Sequence, residues 1–336
     1  MTPPAGAGRG PRPDAADGGD DRVSDALDEL NRYARLIADE ATRRGIVVDV
    51  RDAELGELVL HLGDREVTTI ESLSELTSAV AFRRCDNKIT TRAVLTAAGL
   101  RVPAGRTASF DERDVAFLAE HGELVVKPAR GEQGWGITIG VDDEASLKAA
   151  LDRARDVHPE VLLEERCPGE DLRVVVIDDE VVAASVRRPP SVTGNGIDTI
   201  AELVGRLSAR REAATGGSSS IPLDATTIAV VQANGHDLDD VLPVGETLTV
   251  RRTANLHTGG TIHDVTDELA PELATVAVEV ARAIGIPVVG VDLIVPRVDG
   301  PDYVVIEANE QPGLANHEPR PTAERFIDLL FPETAR

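Results

Sequence analysis

No stretch of the 336 residues comes near the roughly 18 to 20 uninterrupted apolar positions that a membrane span requires. The opening Met1-Thr-Pro-Pro-Ala-Gly has no basic flank leading into an apolar run. A cytoplasmic protein with no membrane contact is therefore expected. Cysteine is almost missing: Cys85 and Cys167 stand apart, with no CxxC pair and no histidine spacing beside them. That argues against a disulfide framework and a structural zinc site, and both read as ordinary buried thiols. Basic residues are outnumbered, 35 Lys and Arg against 59 Asp and Glu, for a formal net charge of −24. Such an excess opposes binding to nucleic acid or anionic lipid. It still admits a small anionic ligand where local Arg, Lys and metal ions reverse the field. The chain also lacks a P-loop ending in Gly-Lys-Ser/Thr, a GxGxxG at a strand-to-helix turn, and any internal repeat, which removes the two commonest nucleotide motifs.

What is present is enough apolar material, 42% of the residues, for one large core or several small ones, so a multidomain α/β protein is expected. Residues 1–22 are rich in Pro, Gly, Ala and Asp without an apolar period and read as a disordered tail. From Val23, apolar residues recur at helical spacing as far as Gly45, and short strands follow at 46–50 and 58–62. Residues 23–85 thus read as a small α/β lead-in domain. A helix over 87–98 is closed by Gly99 and Pro103. Strands at 123–128 and 137–141 flank a glycine-rich tip, and a helix at 144–155 and a strand at 161–164 complete a central unit, 86–165. The remainder, 166–336, carries strands at 172–177 and 181–186, a helix from Thr199, and a low-complexity stretch at 210–220 that suits a lid or a passive loop. A helix at 271–284, strands at 288–296 and 303–308, and a closing helix at 323–330 follow.

Two groups of residues point to chemistry. Asp292 lies on an apolar strand, and Glu307 and Asn309 lie on another, where alternate residues share a face. Pairing of the two strands would bring two carboxylates and an amide oxygen together, a donor set that suits Mg²⁺ shared with nucleotide phosphates. Gly131, Gly134 and Gly136 at the hairpin tip let backbone N–H groups approach phosphate oxygens, and Lys127 on the preceding strand offers a cation to the same phosphates.

These pieces stand in an order that resembles an ATP-grasp domain. The matching segments are Asp86-Asn-Lys-Ile-Thr-Thr91 with Ala98-Gly-Leu-Arg-Val-Pro103, the Lys127 strand and its glycine loop, Leu163-Glu-Glu-Arg-Cys-Pro-Gly-Glu-Asp-Leu-Arg173, and Asp292 with Glu307-Ala-Asn309. They cover about two thirds of the chain. Arg188-Pro-Pro-Ser-Val-Thr-Gly-Asn-Gly196 and Ala254-Asn-Leu-His-Thr-Gly-Gly260 resemble the cyanophycin synthetase group. Glu71-Ser-Leu-Ser-Glu-Leu-Thr77 and Glu310-Gln-Pro-Gly-Leu-Ala-Asn-His-Glu-Pro319 resemble the ligase half of the N-acetylglutaminylglutamine synthetases. The resemblance implies an ATP-grasp fold behind the lead-in domain. It makes Lys88 and Lys127 phosphate ligands, sets adenine against the strand ending at Glu164 and Glu165, and gives the ribose to Glu170. Arg173 and Arg188 would stabilise charge on the transferring phosphoryl group, Asn255, Gly259 and Gly260 would border the acyl site, and Asp292, Glu307 and Asn309 would hold magnesium.

The implied activity is ADP-forming ligation of a small-molecule carboxylate to an amine, through an acyl phosphate, using ATP and two Mg²⁺ ions that Mn²⁺ could replace. Amino acids or a short peptide are the expected substrates, for example an N-acyl amino acid joined to glutamine, and a homodimer is compatible. The roughly 85 residues before the core are too few for the acetyltransferase domain that those synthetases carry, so a separate acetyltransferase acting upstream is expected. No side-chain nucleophile is needed, and Ser218 to Ser220 read as loop residues. His257 and His263, beside the Gly259-Gly260 pair, are open to a base role or a surface one. A kinase that releases a phosphorylated product and a non-catalytic ATP-binding protein are the alternatives.

Overall fold

The computed structural model describes residues 27–131, 134–215, 217 and 219–335, so the expected disordered tail at 1–22 lies outside the described residues. Residues 27–28 are helical, and the next helix, α1 (Arg32–Arg43), begins where the Asn31 side chain accepts from the backbone N–H groups of Tyr33 and Ala34, which interrupts the helical period at that point. An antiparallel meander follows, β1 (Val47–Asp52), β2 (Glu57–Leu62), β3 (Arg65–Ile70) and β4 (Leu73–Ser74). Its inner residues Leu58, Leu60 and Val67 pack with Ile37 and Ala38 of α1.

Next come α2 (Ala79–Asp86) and α3 (Lys88–Ala97), the latter capped by the Asn87 side chain. The central unit consists of β5 (Gly105–Thr107), α4 (Glu112–His121), β6 (Leu124–Pro128), β7 (Thr138–Val141), α5 (Glu144–Val157) and β8 (Val161–Glu165). Its sheet has the antiparallel order β5-β8-β6-β7, and Leu124, Val126, Leu147, Val161 and Leu163 form its core.

The largest sheet is built from β9 (Glu170–Ile177), β10 (Glu180–Arg188), β13 (Thr261–Asp264), β14 (Val288–Val295) and β15 (Val304–Asn309), in the antiparallel order β13-β10-β9-β14-β15. Between β10 and β13 runs an insertion whose neck is the pair β11 (Ser191–Thr193) and β12 (Thr247–Thr249). Helices α6 (Ile200–Ala214) and α7 (Ala225–Ala233) lie within it, around a core of Val192, Ile200, Val204, Ile221, Val231 and Leu248. The α6 capping box, Thr199 with Glu202, sets its start where the sequence expected a helix. Helix α7 has little apolar periodicity, which is why sequence reading does not find it.

Helices α8 (Pro271–Ile284) and α9 (Thr322–Leu330) lie on opposite faces of the large sheet. On one face Val174, Val176, Val289, Val291 and Leu293 meet Leu273, Ala277 and Val280 of α8. On the other, Val175, Ile177, Val182 and Val288 meet Phe326, Ile327 and Leu330 of α9 together with α1 and β2. Each fully buried side chain of this kind contributes roughly 1.5–3 kcal/mol. Among the described residues, the lead-in segment therefore shares the core of the large sheet and has none of its own.

Candidate functional site

The site grows from the strand alternation of β9. Val175 and Ile177 share a face with Asp171 and Arg173, so a face that is apolar at one end of the strand is charged at the other. Cross-strand partners extend the charged end: Arg173 faces Ser185 of β10 and Asp292 of β14, Asp171 faces Arg187, and Asp292 faces Glu307 of β15. Helix α9 and its neighbours cover the apolar end and leave this end open.

At the centre is Asp292, only 5% exposed. The Arg173 guanidinium grips it with both Nε and Nη2, the second contact at 3.0 Å, and Arg187 Nη2 reaches it at 3.0 Å. Arg187 also donates to Asp171 at 2.7 Å. Gly290 makes room for this arrangement, since a Cβ there would stand 2.9 Å from an Arg173 terminal nitrogen and 3.1 Å from Pro312. Burial alone would raise the Asp292 carboxyl, but Arg173 and Arg187 outweigh it and hold the group at about 2. Asp171 moves up, because its burial and the like charge of Asp292 exceed the pull of Arg187. The buried His317 is lowered to about 4 by desolvation, with Arg173 and Arg187 adding to the effect, so it is neutral at pH 7.

Asn309 directs its Nδ2 to the Gly290 carbonyl and to Asp292 Oδ2, both at 3.2 Å, so its carbonyl oxygen is the end not committed to Asp292. Glu307 Oε1 receives the Lys88 ammonium at 2.7 Å, so a cation already stands at that carboxylate. Among the described residues no three His, Cys, Asp or Glu side chains gather as a metal site. The donor set here is two carboxylates and one amide, hard oxygen ligands that fit Mg²⁺ with water and phosphate completing its shell.

Lys88 also donates to the carbonyl of Gly131 at 3.0 Å, which ties the glycine loop to the large sheet. One turn further along α3, Arg92 reaches Glu164 at 3.3 Å, and Lys127 pairs with the other oxygen of Glu164 at 2.6 Å. Lys88, Lys127 and Glu164 are all buried. Glu165 turns away and accepts from the backbone N–H of Ala104, while Glu170 stands exposed at the start of β9. Gly131, Gly134 and Gly136 all have positive φ, as a tight glycine tip requires. Two residues of that loop, 132 and 133, lie outside the described residues.

Of the remaining expected residues, Asn255 caps a short 3₁₀ turn through the backbone N–H of His257, and Gly259 and Gly260 are buried behind it. His263 is exposed. Arg188 does not join the cluster: it follows Arg187 on β10, so it faces the other side of the sheet, and it is exposed. Arg187 stands where the sequence expected Arg188, and the period of two counted from Arg173 through the β9–β10 register is the signal that finds it. Asp171 follows from the same count, and Arg92 from the i, i+4 spacing after Lys88.

A family model described as the RimK-like ATP-grasp domain matches residues 85–192 and 244–324, more than half of the chain and every charged residue of this cluster. The chain belongs to the RimK-like ATP-grasp family. The stretch between the two matched segments corresponds to the helical insertion behind the β11–β12 neck. Among relatives of the ATP-grasp chain, a cyanophycin synthetase from Trichormus variabilis is 33% identical over 318 residues, covering 90% of this chain and 35% of that protein. One from Geminocystis herdmanii is 34% identical over 279 residues, covering 78% and 32%. The bifunctional glutathione synthetase from Pasteurella multocida has a TM-score of 0.64 at 28% identity, over 92% of this chain and 44% of that one. A D-alanine–D-alanine ligase from Bacillus anthracis shares the fold at 14% identity, with a TM-score of 0.50 over 77% and 70% of the two chains. The ATP-grasp chain spans about a third of the length of the cyanophycin synthetases and under half of the glutathione synthetase. Among the described residues, no helix is long and apolar enough to cross a membrane.

Proposed function

We propose that this ATP-grasp chain is an ADP-forming carboxylate–amine ligase that works through an acyl phosphate. The observation that carries the reading is Lys88. One buried ammonium bridges the glycine loop and Glu307, so the groups suited to cover phosphates and the carboxylates suited to a hard cation belong to one site.

In this reading Asp292, Glu307 and Asn309 would hold Mg²⁺, as two ions that Mn²⁺ can replace, and the bound metal supplies charge neutralisation at the terminal phosphates. Lys88 and Lys127 orient the phosphates of ATP under the loop glycines, the strand ending at Glu164 and Glu165 borders the adenine, and Glu170 meets the ribose. The substrate carboxylate attacks the γ-phosphorus in line, and Arg173 with Arg187 stabilises the charge that develops, as paired guanidinium donors do. An amine then displaces phosphate from the acyl carbon, while the loop keeps out the water that would hydrolyse the intermediate. Amino acids are the substrate class that accords with the relatives, for example an N-acyl amino acid supplied by a separate acetyltransferase and joined to glutamine. A cytoplasmic location and a homodimer complete the reading.

The test follows one oxygen atom. Carboxylate substrate labelled with heavy oxygen should give labelled inorganic phosphate together with ADP, because one carboxylate oxygen leaves with the phosphate when the amine attacks. Label in AMP with release of pyrophosphate would mean adenylation. A stable phosphorylated product would mean a kinase, and unlabelled phosphate released without amine would mean an ATPase.

A further inference from the structure

One strand away from the Asp292 cluster, a cavity of about 210 Å³ lies between α1, α6 and the 255–262 segment. Ile262 in its wall is the cross-strand partner of Arg187, and Gly260, whose carbonyl borders it, belongs to the expected acyl site. The cavity therefore opens on the same face of the sheet as Arg187, Arg173 and Asp292. Its volume is on the scale of an amino acid.

Two guanidinium groups face it. Arg211, near the end of α6, is half-buried: one terminal nitrogen donates to the Gly260 carbonyl at 3.0 Å, while its Nε is buried without a hydrogen-bond partner. Nothing but burial acts on its proton affinity, which it lowers. Arg32, exposed at the rim, donates to the Ala315 carbonyl at 2.7 Å and lies over the Tyr33 ring. Among the described residues neither has a carboxylate within ion-pairing distance, although this chain carries 24 more acidic than basic charges. With one terminal nitrogen on the Gly260 carbonyl and no carboxylate beside it, the Arg211 guanidinium keeps donors for a ligand carboxylate, the group this planar fork recognises best. Tyr33, Leu256 and Ile262 supply apolar wall for a side chain.

We infer that this cavity holds the amine substrate as an α-amino acid, with Arg211 and Arg32 binding its α-carboxylate. The inference rests on the ligase reading for the word substrate, and on the cavity alone for the ligand. The acid substrate cannot fill this role with its reacting carboxylate, which has to reach the phosphate. A carboxylate held at Arg211 is one that survives the reaction, and it anchors the amino group toward the sheet.

The first test uses the full chain and no turnover. Each of the common L-amino acids and its α-carboxamide is titrated by calorimetry against the wild type, Arg211→Gln, Arg211→Lys and Arg32→Gln, with thermal unfolding as the check on folding. At least one amino acid should bind, and its carboxamide should bind about ten- to hundredfold more weakly, the scale of a lost charge-assisted hydrogen bond. Arg211→Gln should erase that preference, Arg211→Lys should restore part of it, and nucleotide affinity should stay unchanged in both. Equal binding of acid and carboxamide, or no binding by any amino acid, overturns the inference and leaves the oxygen-labelling result standing. In turnover assays with the acids and amines that support ADP release, Arg211→Gln should raise KM for the amine alone. A rise confined to the acid would overturn the assignment to the amine.

Discussion

Successive residues of a strand face opposite sides, so Arg187 and Arg188 have different surroundings although they adjoin in the chain. Arg187 lies between Asp171 and Asp292, whereas Arg188 is exposed on the far side of the sheet. Arg187→Gln should therefore lower turnover by about a hundredfold or more, the usual cost of losing a donor to developing charge. Arg188→Gln should stay within about twofold of the wild type, as surface changes do. ADP release at saturating substrates separates the two, and equal losses would mean that the register misplaces the pair. Asp292 makes a second prediction, with a definite sign. Its carboxyl is held at about 2, below the unfolded value of roughly 3.9. The pair with Arg173 and Arg187 thus stabilises the fold fully above that unfolded value and loses its effect as pH falls toward about 2. Asp292→Asn should cost about 3 kcal/mol or more at neutral pH, because the half-buried Arg173 guanidinium loses its only carboxylate partner and Arg187 keeps Asp171 alone. It should also flatten the fall of stability over that acid window in denaturant titrations, and an unchanged acid limb would show that the pair is not coupled to folding.

Elements with clear punctuation could be read directly. Pro271 at the first position of α8 and Gly285 in the left-handed conformation behind it mark the expected bounds of that helix. The Lys127 hairpin and the strand ending at Glu165 were equally legible, because their apolar runs lie between turn residues. Strands β3 and β4 were not, since Arg65–Ile70 mixes charged and Thr residues with its apolar positions and pairs only because β2 offers it an edge. The insertion hid for a related reason: a core of its own arises from short helices that meet only after β11 and β12 have paired. That neck leads to a further expectation. Joining Thr193 to Thr247 through an Asn-Gly turn, in place of residues 194–246, should leave a paired hairpin. The shortened chain should unfold cooperatively within about 5 °C of the wild type and keep its nucleotide affinity, but lose amino-acid binding along with Arg211. Loss of a cooperative transition in calorimetry would show that the insertion is needed for the rest to fold.

At the scale of the molecule, the sequence disclosed which residue types form the site but not how the units share their cores. Helical and strand periods each show a buried face without saying what covers it, and here the segment before α2 covers the same sheet face that carries Arg173 and Asp292 further along. The site is thus braced by residues from both ends of the described chain. One feature of that site bears on the order in which ligands enter. Five cations, Lys88, Arg92, Lys127, Arg173 and Arg187, are matched to four carboxylates, Asp171, Glu164, Asp292 and Glu307. The pocket is thus close to electroneutral, in a chain whose formal charge is −24. A bare triphosphate would leave it strongly anionic, and a bare divalent ion would meet Lys88 at Glu307 and two arginines at Asp292. Entering together as one complex, nucleotide and metal bring charges that largely cancel each other, so the site selects for the pair over either partner alone.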